Sequence, residues 1–196
     1  INRNKLLITT GVGNHQMWTA QHITWTSPGK MITSGSLGTM GVGVPFAIGC
    51  YLANTDSQVL CIDGDSSFNM TSTELQTILE NKIPIKIAIM NDQRQQMVYI
   101  WQQLFHNNRI VATDNINPDY TLLAKSYHIT TMRCQSKKNL KKTIHNFMKH
   151  TGPAIAIFDV KPSMCFPLVS PGKALDDMIL SEKDIKMIDE KENAPN

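Results

Sequence analysis

None of the four cysteines, Cys50, Cys61, Cys134 and Cys165, forms a Cys-x-x-Cys pair, so the chain has neither a zinc-finger spacing nor a disulfide framework. Widely spaced free thiols fit a reducing compartment. No apolar run approaches the roughly 20 residues that span a bilayer, and no basic-then-apolar leader precedes the first patterned segment. A soluble protein with no membrane partner is expected. No Gly-x-Gly-x-x-Gly follows a strand candidate and no Gly-x-x-x-x-Gly-Lys loop occurs, which argues against a nucleotide-binding protein of either common kind. Charge is also sparse, at 18% of residues with a formal net of +3. Most of that excess sits between Lys137 and Lys149 and reads as a solvated helix face, so no nucleic-acid partner is implied. Internal repeats and low-complexity segments are missing too.

The 196 residues, 41% of them hydrophobic, are enough for one sizeable core. Short β-rich runs alternate with longer amphipathic stretches, the pattern of βαβ units wound into a parallel sheet, and an α/β domain is predicted. Strands are expected at 31–33, 58–62, 85–90, 129–134 and 154–160; the second, third and fifth are nearly continuous apolar runs, as strands covered on both faces should be. Helices are expected at 41–53, where the small residues Gly43, Ala47 and Gly49 permit close packing, and at 71–81, opened by a Thr71-x-x-Glu74 capping box. Two more are expected at 119–127, with Pro118 as first helical residue, and at 139–149. Residues 1–180 are read as the domain, and the charged, poorly patterned 181–196 as a mobile tail.

Chemistry concentrates where strands end. Ile62-Asp63-Gly64-Asp65-Ser66-Ser67-Phe68 carries a buried strand into a Gly-Asp turn, at the carboxyl end where α/β sheets place ligands. Gly64 permits the turn, Asp65 offers a hard oxygen ligand, and the Ser66 and Ser67 amides can face phosphate oxygens. By itself such a turn is equally an ordinary capped turn. The next strand ends in Asn91-Asp92-Gln93-Arg94, one strand-helix-strand unit later. Adjacent parallel strands would bring Asp65 and Asp92 to one cation, with Mg²⁺ the best match to a few protein oxygens completed by phosphate and water.

Gly64-Asp65-Ser66 followed by Asn91-Asp92 resembles the GDG…NN motif of thiamin-diphosphate enzymes. The resemblance implies that Asp65 and Asp92 bind Mg²⁺ through side chains and Arg94 through its backbone carbonyl. Thr9-Thr10-Gly11-Val12-Gly13-Asn14-His15-Gln16-Met17-Trp18 resembles the TTGVGQHQMW segment of acetohydroxyacid (acetolactate) synthases, which implies diphosphate contacts from Asn14 and His15. Ser34-Gly35-Ser36-Leu37-Gly38-Thr39-Met40-Gly41 is similar to their SGGLGTMG. By that likeness Gly38, Thr39 and Met40 lie under the aminopyrimidine ring, with the Met40 side chain as a wedge enforcing the bent cofactor. Gln96-Met97-Val98-Tyr99-Ile100-Trp101-Gln102-Gln103-Leu104-Phe105 resembles GMVxQWxxLF, implying that Met97 and Val98 line the cofactor and that Trp101 shapes the second-substrate pocket. The four blocks occur in family order, and likeness extends from Thr9 to Leu180, most closely to fungal-type sequences.

The implied fold is the three-layer thiamin-diphosphate-binding fold, a parallel sheet flanked by helices. The implied reaction decarboxylates pyruvate and joins the product to a second 2-ketoacid, pyruvate or 2-ketobutyrate, for branched-chain amino-acid synthesis. Thiamin diphosphate and Mg²⁺ are the implied cofactors here, with FAD in the full-length enzyme. Partners would be a homodimer or tetramer and a regulatory subunit; the location would be mitochondrial in a eukaryote and cytoplasmic otherwise. The family's activating Glu belongs to another domain of a neighbouring subunit, so the 196 residues alone are expected to be inactive. Departures at Asn14, Asp92 and Gln96 leave open a subunit that keeps the fold without turnover, and another thiamin-diphosphate carboligase or oxidase also stays open.

Overall fold

Apolar runs such as Val59 to Ile62 and Ile85 to Ile89 are stable as strands only when both faces are covered, and the computed structural model, which describes residues 3–185, covers both. In chain order the elements are β1 (Leu6–Thr10), α1 (Asn14–His22), β2 (Met31–Ile32), α2 (Gly43–Ala53), β3 (Gln58–Gly64), α3 (Asp65–Met70), α4 (Leu75–Glu80), β4 (Lys86–Asn91), α5 (Gln96–Phe105), α6 (Tyr120–Ser126), β5 (Thr130–Cys134), α7 (Leu140–Lys149), β6 (Ala154–Asp159), β7 (Leu168–Val169) and β8 (Met178–Ile179). The first six strands form one sheet in the order β2-β1-β3-β4-β6-β5, parallel at every pairing. β7 and β8 form a separate antiparallel pair.

Alternate residues of the central strands point to opposite layers. Val59, Cys61, Ile87, Ile89, Ile155 and Ile157 pack with Val44 and Ala47 of α2, Leu75 and Ile78 of α4 and Ala124 of α6. Leu60, Ile62, Ala88, Met90, Ala156 and Phe158 face the other way, against Phe147 and Met148 of α7. Each fully buried Ile contributes about 1.5–3 kcal/mol relative to exposure. This is the three-layer α/β arrangement expected from the sequence. A third cluster joins Ile100 of α5 to Leu168 and Ile179, with Met17, Met164 and Ile185 against it. Leu180 and Ser181 donate their N–H groups to the Asp184 carboxylate at 2.8 and 2.9 Å. Of the tail expected to be mobile, 186–196 lies outside the described residues.

Local differences from expectation have identifiable causes. β1, α1 and α5 were not anticipated, and β2 is shorter than expected. The capping box at Thr71 does not form: Thr71 Oγ1 donates to the Gly41 carbonyl at 2.6 Å, and Glu74 accepts from Thr77 instead. A 3₁₀ turn (Ser72–Glu74) therefore precedes α4. Pro118 is not the first residue of α6. Asp119 is the N-cap, its carboxylate accepting from the N–H groups of Thr121 and Leu122 at 2.8 and 3.2 Å. Asp119→Ala is expected to cost about 1 kcal/mol, read as a fall of roughly 2–4 °C in the thermal midpoint. Gly43 does permit close packing, since a Cβ there would lie 2.5 Å from Asp63 Oδ2, whereas Gly49 faces open space.

Candidate functional site

The carboxyl ends of β1, β3 and β4 are neighbours in the sheet, so the loops leaving them share one end of the domain. They surround a cavity of about 460 Å³. Asn14, His15, Met40, Gly64, Asp65, Ser66, Ser67, Asp92, Arg94, Met97 and Val98 all line it. Gly38, Thr39 and Trp101 are not part of that wall. Thr39 is held in its turn by an N–H bond to Ser34 Oγ at 2.9 Å. A Cβ on Gly38 would sit 4.0 Å from Val12, a lining residue, which puts that turn at the rim. Trp101 packs edge-on against Phe105, ring centroids 5.0 Å apart at 72°.

β3 runs directly into α3, which places Asp65 at the first turn with 1% exposure. Its Oδ1 accepts from Ser66 N–H at 2.8 Å and its Oδ2 from Asn117 Nδ2 at 2.5 Å, so each oxygen keeps lone-pair capacity. Asp92 follows the end of β4. Burial, and then the charge of Asp65, push the Asp92 carboxyl up to about 6. The nearby Arg94 guanidinium is engaged elsewhere, 4.0 Å over the Tyr99 ring and bonded to Asp114 at 2.6 Å. Two mutually repelling carboxylates on one cavity wall are a donor set that a divalent cation would neutralise. Among the described residues no group of three or more His, Cys, Asp or Glu side chains is arranged to hold a metal. A cation here would complete its shell with backbone, water and phosphate oxygens.

The other side of the cavity suits an anion. α1 begins at Gly13 without a side-chain cap, leaving its first N–H groups and the positive end of the helix dipole at the cavity wall. His15 is 9% exposed, its Nε2 3.2 Å from Asp63 Oδ1 in a geometry that misses hydrogen-bond alignment. Asn14 donates through Nδ2 to the Ser163 carbonyl at 2.9 Å, which leaves Oδ1 buried without a partner. Gln96 likewise buries an unpartnered Oε1. Gly64 has no room for a side chain, because a Cβ would lie 2.9 Å from His15 Nδ1.

Sequence reasoning missed several residues of this region. Trp18 and His22 of α1 line the cavity as a stacked pair, 5.2 Å apart at 13°. Lys161 and Ser163 close it from the chain beyond β6. Asn115 and Asn117 of the 106–119 loop do not line it but bond to residues that do, Asn115 donating to Ser66 Oγ and Asn117 to Asp65. The only signal for the last two was the Asn-Ile-Asn-Pro run, which also reads as a turn. None of the four thiols lines the cavity; burial raises the Cys61 pKa well above its ordinary value and pushes Cys165 up to about 11.

The family model described as thiamine pyrophosphate enzyme, C-terminal TPP binding domain, matches residues 11–158. The chain is 42% identical over 182 residues to the mitochondrial acetolactate synthase catalytic subunit of Saccharomyces cerevisiae, covering 92% of this chain and 26% of that protein. It is 42% identical over 181 residues to the mitochondrial acetolactate synthase of Schizosaccharomyces pombe, 92% of this chain and 27% of that protein. Against the large subunit of acetolactate synthase isozyme 2 of Escherichia coli the identity is 38% over 175 residues, 88% and 32% of the two chains. The chain thus spans between a quarter and a third of the length of these relatives. With the sheet order, the strand-end acids and the matched span in agreement, the chain belongs to the C-terminal TPP-binding domain family of thiamine pyrophosphate enzymes.

Proposed function

We propose that the protein carrying this domain is an acetolactate synthase, and that this domain holds the diphosphate, the Mg²⁺ and part of the ring system of thiamin diphosphate. The carrying observation is the convergence of Asp65 and Asp92 on one cavity wall, facing the uncapped start of α1. When bound, thiamin diphosphate supplies the electron sink for decarboxylation and carbon–carbon bond formation. Asp65 and Asp92 would hold the cation through side-chain oxygens and Arg94 through its carbonyl. His15, Asn14 and the amides of Ser66 and Ser67 would hold the diphosphate. Met40 would shape the bound ring system from one side, and Met97 and Val98 from the start of α5. Gly38 and Thr39 would join from the rim. Trp101, one helical turn along α5 from Met97, would shape the second-substrate pocket rather than the cofactor wall.

The wall offers Met40, Met97 and Val98 where rings would lie and Asp65, Asp92 and His15 where charge would lie, which suits a ligand with an apolar end and an anionic, cation-bound end. The substrates proposed are pyruvate with a second pyruvate or 2-ketobutyrate. An oligomer of the full-length chain, FAD bound outside this domain and a regulatory subunit complete the reading. The fungal relatives' names support a mitochondrial location. Full-length protein given pyruvate, thiamin diphosphate and Mg²⁺ is expected to form acetolactate, with EDTA abolishing it; a different decarboxylation product would replace this reading with another carboligase or oxidase of the family. A second reading, a fold retained without turnover, rests on Gln96 and its buried unpartnered oxygen at the cavity wall. Cofactor binding by calorimetry without product formation would select it.

A further inference from the structure

Asp65 is aimed by a second residue, and that residue comes from a distant loop. The 106–119 loop is tied to the 93–95 turn by backbone bonds, Gln95 N–H to the Thr113 carbonyl at 2.7 Å and Asn115 N–H to the Gln93 carbonyl at 2.8 Å. So fixed, it delivers the Asn117 side chain to the space between the ends of β3 and β4. There Nδ2 donates to both Asp65 Oδ2 at 2.5 Å and Asn91 Oδ1 at 2.9 Å, while Oδ1 accepts from Asn69 Nδ2 at 3.0 Å. All three polar positions of the carboxamide are engaged.

The direction of each bond is set. Were Asn117 flipped, its oxygen would face the Asp65 carboxylate and the Asn91 oxygen, acceptor against acceptor. Asn91 is oriented in turn, because its Nδ2 donates to Asp159 Oδ1 at 2.8 Å. Asp159 is gripped by Arg133 through Nε at 2.8 Å and the second guanidinium nitrogen at 3.1 Å. On the other side Tyr120 donates to Asn69 Oδ1 at 3.1 Å. A polar chain thus runs across the carboxyl ends of β5, β6, β4 and β3 and ends on one oxygen of Asp65.

We propose that Asn117 is the positioning residue of the cation site, holding the Asp65 carboxylate at one fixed angle so that its remaining lone pairs meet the ion. The proposal rests on the reading of Asp65 and Asp92 as cation ligands. Its consequence is selectivity. Mg²⁺ requires near-octahedral oxygens at short range, whereas Ca²⁺ accepts longer and more irregular shells. Freeing Asp65 to rotate should therefore penalise Mg²⁺ more than Ca²⁺, which a general loss of folding would not do.

The test uses the full-length protein with thiamin diphosphate present, titrated with Mg²⁺ and separately with Ca²⁺ and followed by tryptophan fluorescence. Asn117→Ala is expected to weaken Mg²⁺ by roughly 10–100-fold, as loss of a group that orients a ligand does, with a smaller loss for Ca²⁺. Asn69→Ala, which removes the bond holding the Asn117 oxygen together with the one from Tyr120, is expected to shift the ratio the same way by less, and it decides the matter if Asn117→Ala does not fold. Equal losses for the two ions, or none, would overturn the proposal. Wild-type protein that binds neither ion would instead overturn the cation-site reading on which it stands.

Discussion

Asp65→Asn is expected to weaken divalent-cation binding by more than about 100-fold, beyond what loss of an orienting neighbour costs, and at the same time to lessen the pH dependence of the cation-free protein's stability. Both effects follow from the geometry. With its single carbonyl oxygen, an amide at position 65 can accept from the Ser66 N–H or from Asn117, but not from both on separate oxygens. It also withdraws one of the two negative charges a cation would meet. Without a cation those charges repel, and burial together with Asp65 already raises the Asp92 carboxyl from 3.8 to about 6. A raised carboxyl makes the folded chain bind a proton that the unfolded chain has released. Cation-free stability therefore falls as pH rises from 3.8 through about 6. Asp65→Asn should flatten that fall. Denaturant titrations at pH 4 and pH 7, with and without Mg²⁺, read both effects; a variant that still binds Mg²⁺ like the wild type would remove Asp65 from the site.

Gly11→Ala is expected to be the most damaging single-methyl addition in the domain. A Cβ at Gly11 would lie 2.0 Å from Ser67 Oγ and 2.2 Å from Asp63 Oδ1. Neither neighbour can yield. Asp63 is fully buried and accepts from the Gly64 N–H at 3.0 Å, while Ser67 is 1% exposed and accepts from the Gly41 N–H at 2.9 Å. Overpacking against such fixed atoms costs about 3 kcal/mol or more, a drop of roughly 6–12 °C in the thermal midpoint for a domain of this size. Because the strain bears on the loops after β1 and β3, cofactor affinity should fall with it. The control is Gly49→Ala on the exposed side of α2, where nothing lies within 4 Å. That change should stabilise by about 0.5–1 kcal/mol through helix propensity. Thermal unfolding followed by circular dichroism separates the two, and a Gly11→Ala midpoint matching the wild type would show that the loop relaxes freely.

What could be read from residues alone followed how directly burial writes itself into pattern. β3, β4 and β6 were legible because strands covered on both faces must be apolar throughout. β1 escaped notice: Leu6-Leu7-Ile8-Thr9-Thr10 ends in two threonines, yet both are buried, Thr9 bonded to the Gly43 carbonyl and Thr10 to Thr33. Tertiary partners made those hydroxyls core residues, and no local period shows that. α1 hid for a related reason, since it buries only His15 and Thr19 and presents no apolar stripe. At the site, Asp65 and Asp92 stood out because an acid at a strand's carboxyl end has few structural uses. Asn115 and Asn117 did not, because asparagines near turns serve local backbone geometry far more often than a group across the sheet. Their role depends on a loop crossing that only the fold reveals.

The order in which this domain is assembled is written into the bond between Asn14 and the Ser163 carbonyl. Its partners are 149 residues apart, and the bond from Gln21 to the Phe166 carbonyl spans 145. At roughly 5–20 residues per second, synthesis separates the two sides of the Asn14 contact by about 7 to 30 s. Once Met90 and Met97 have been made, they join Trp18 and Ile23 as apolar lining of a hollow whose last wall, at Ser163, is still to come. An unfinished chain would therefore expose these apolar residues to a chaperone or to another unfinished chain. A ribosome making this protein exposes the floor of the cavity first and seals it only with the segment that follows β6.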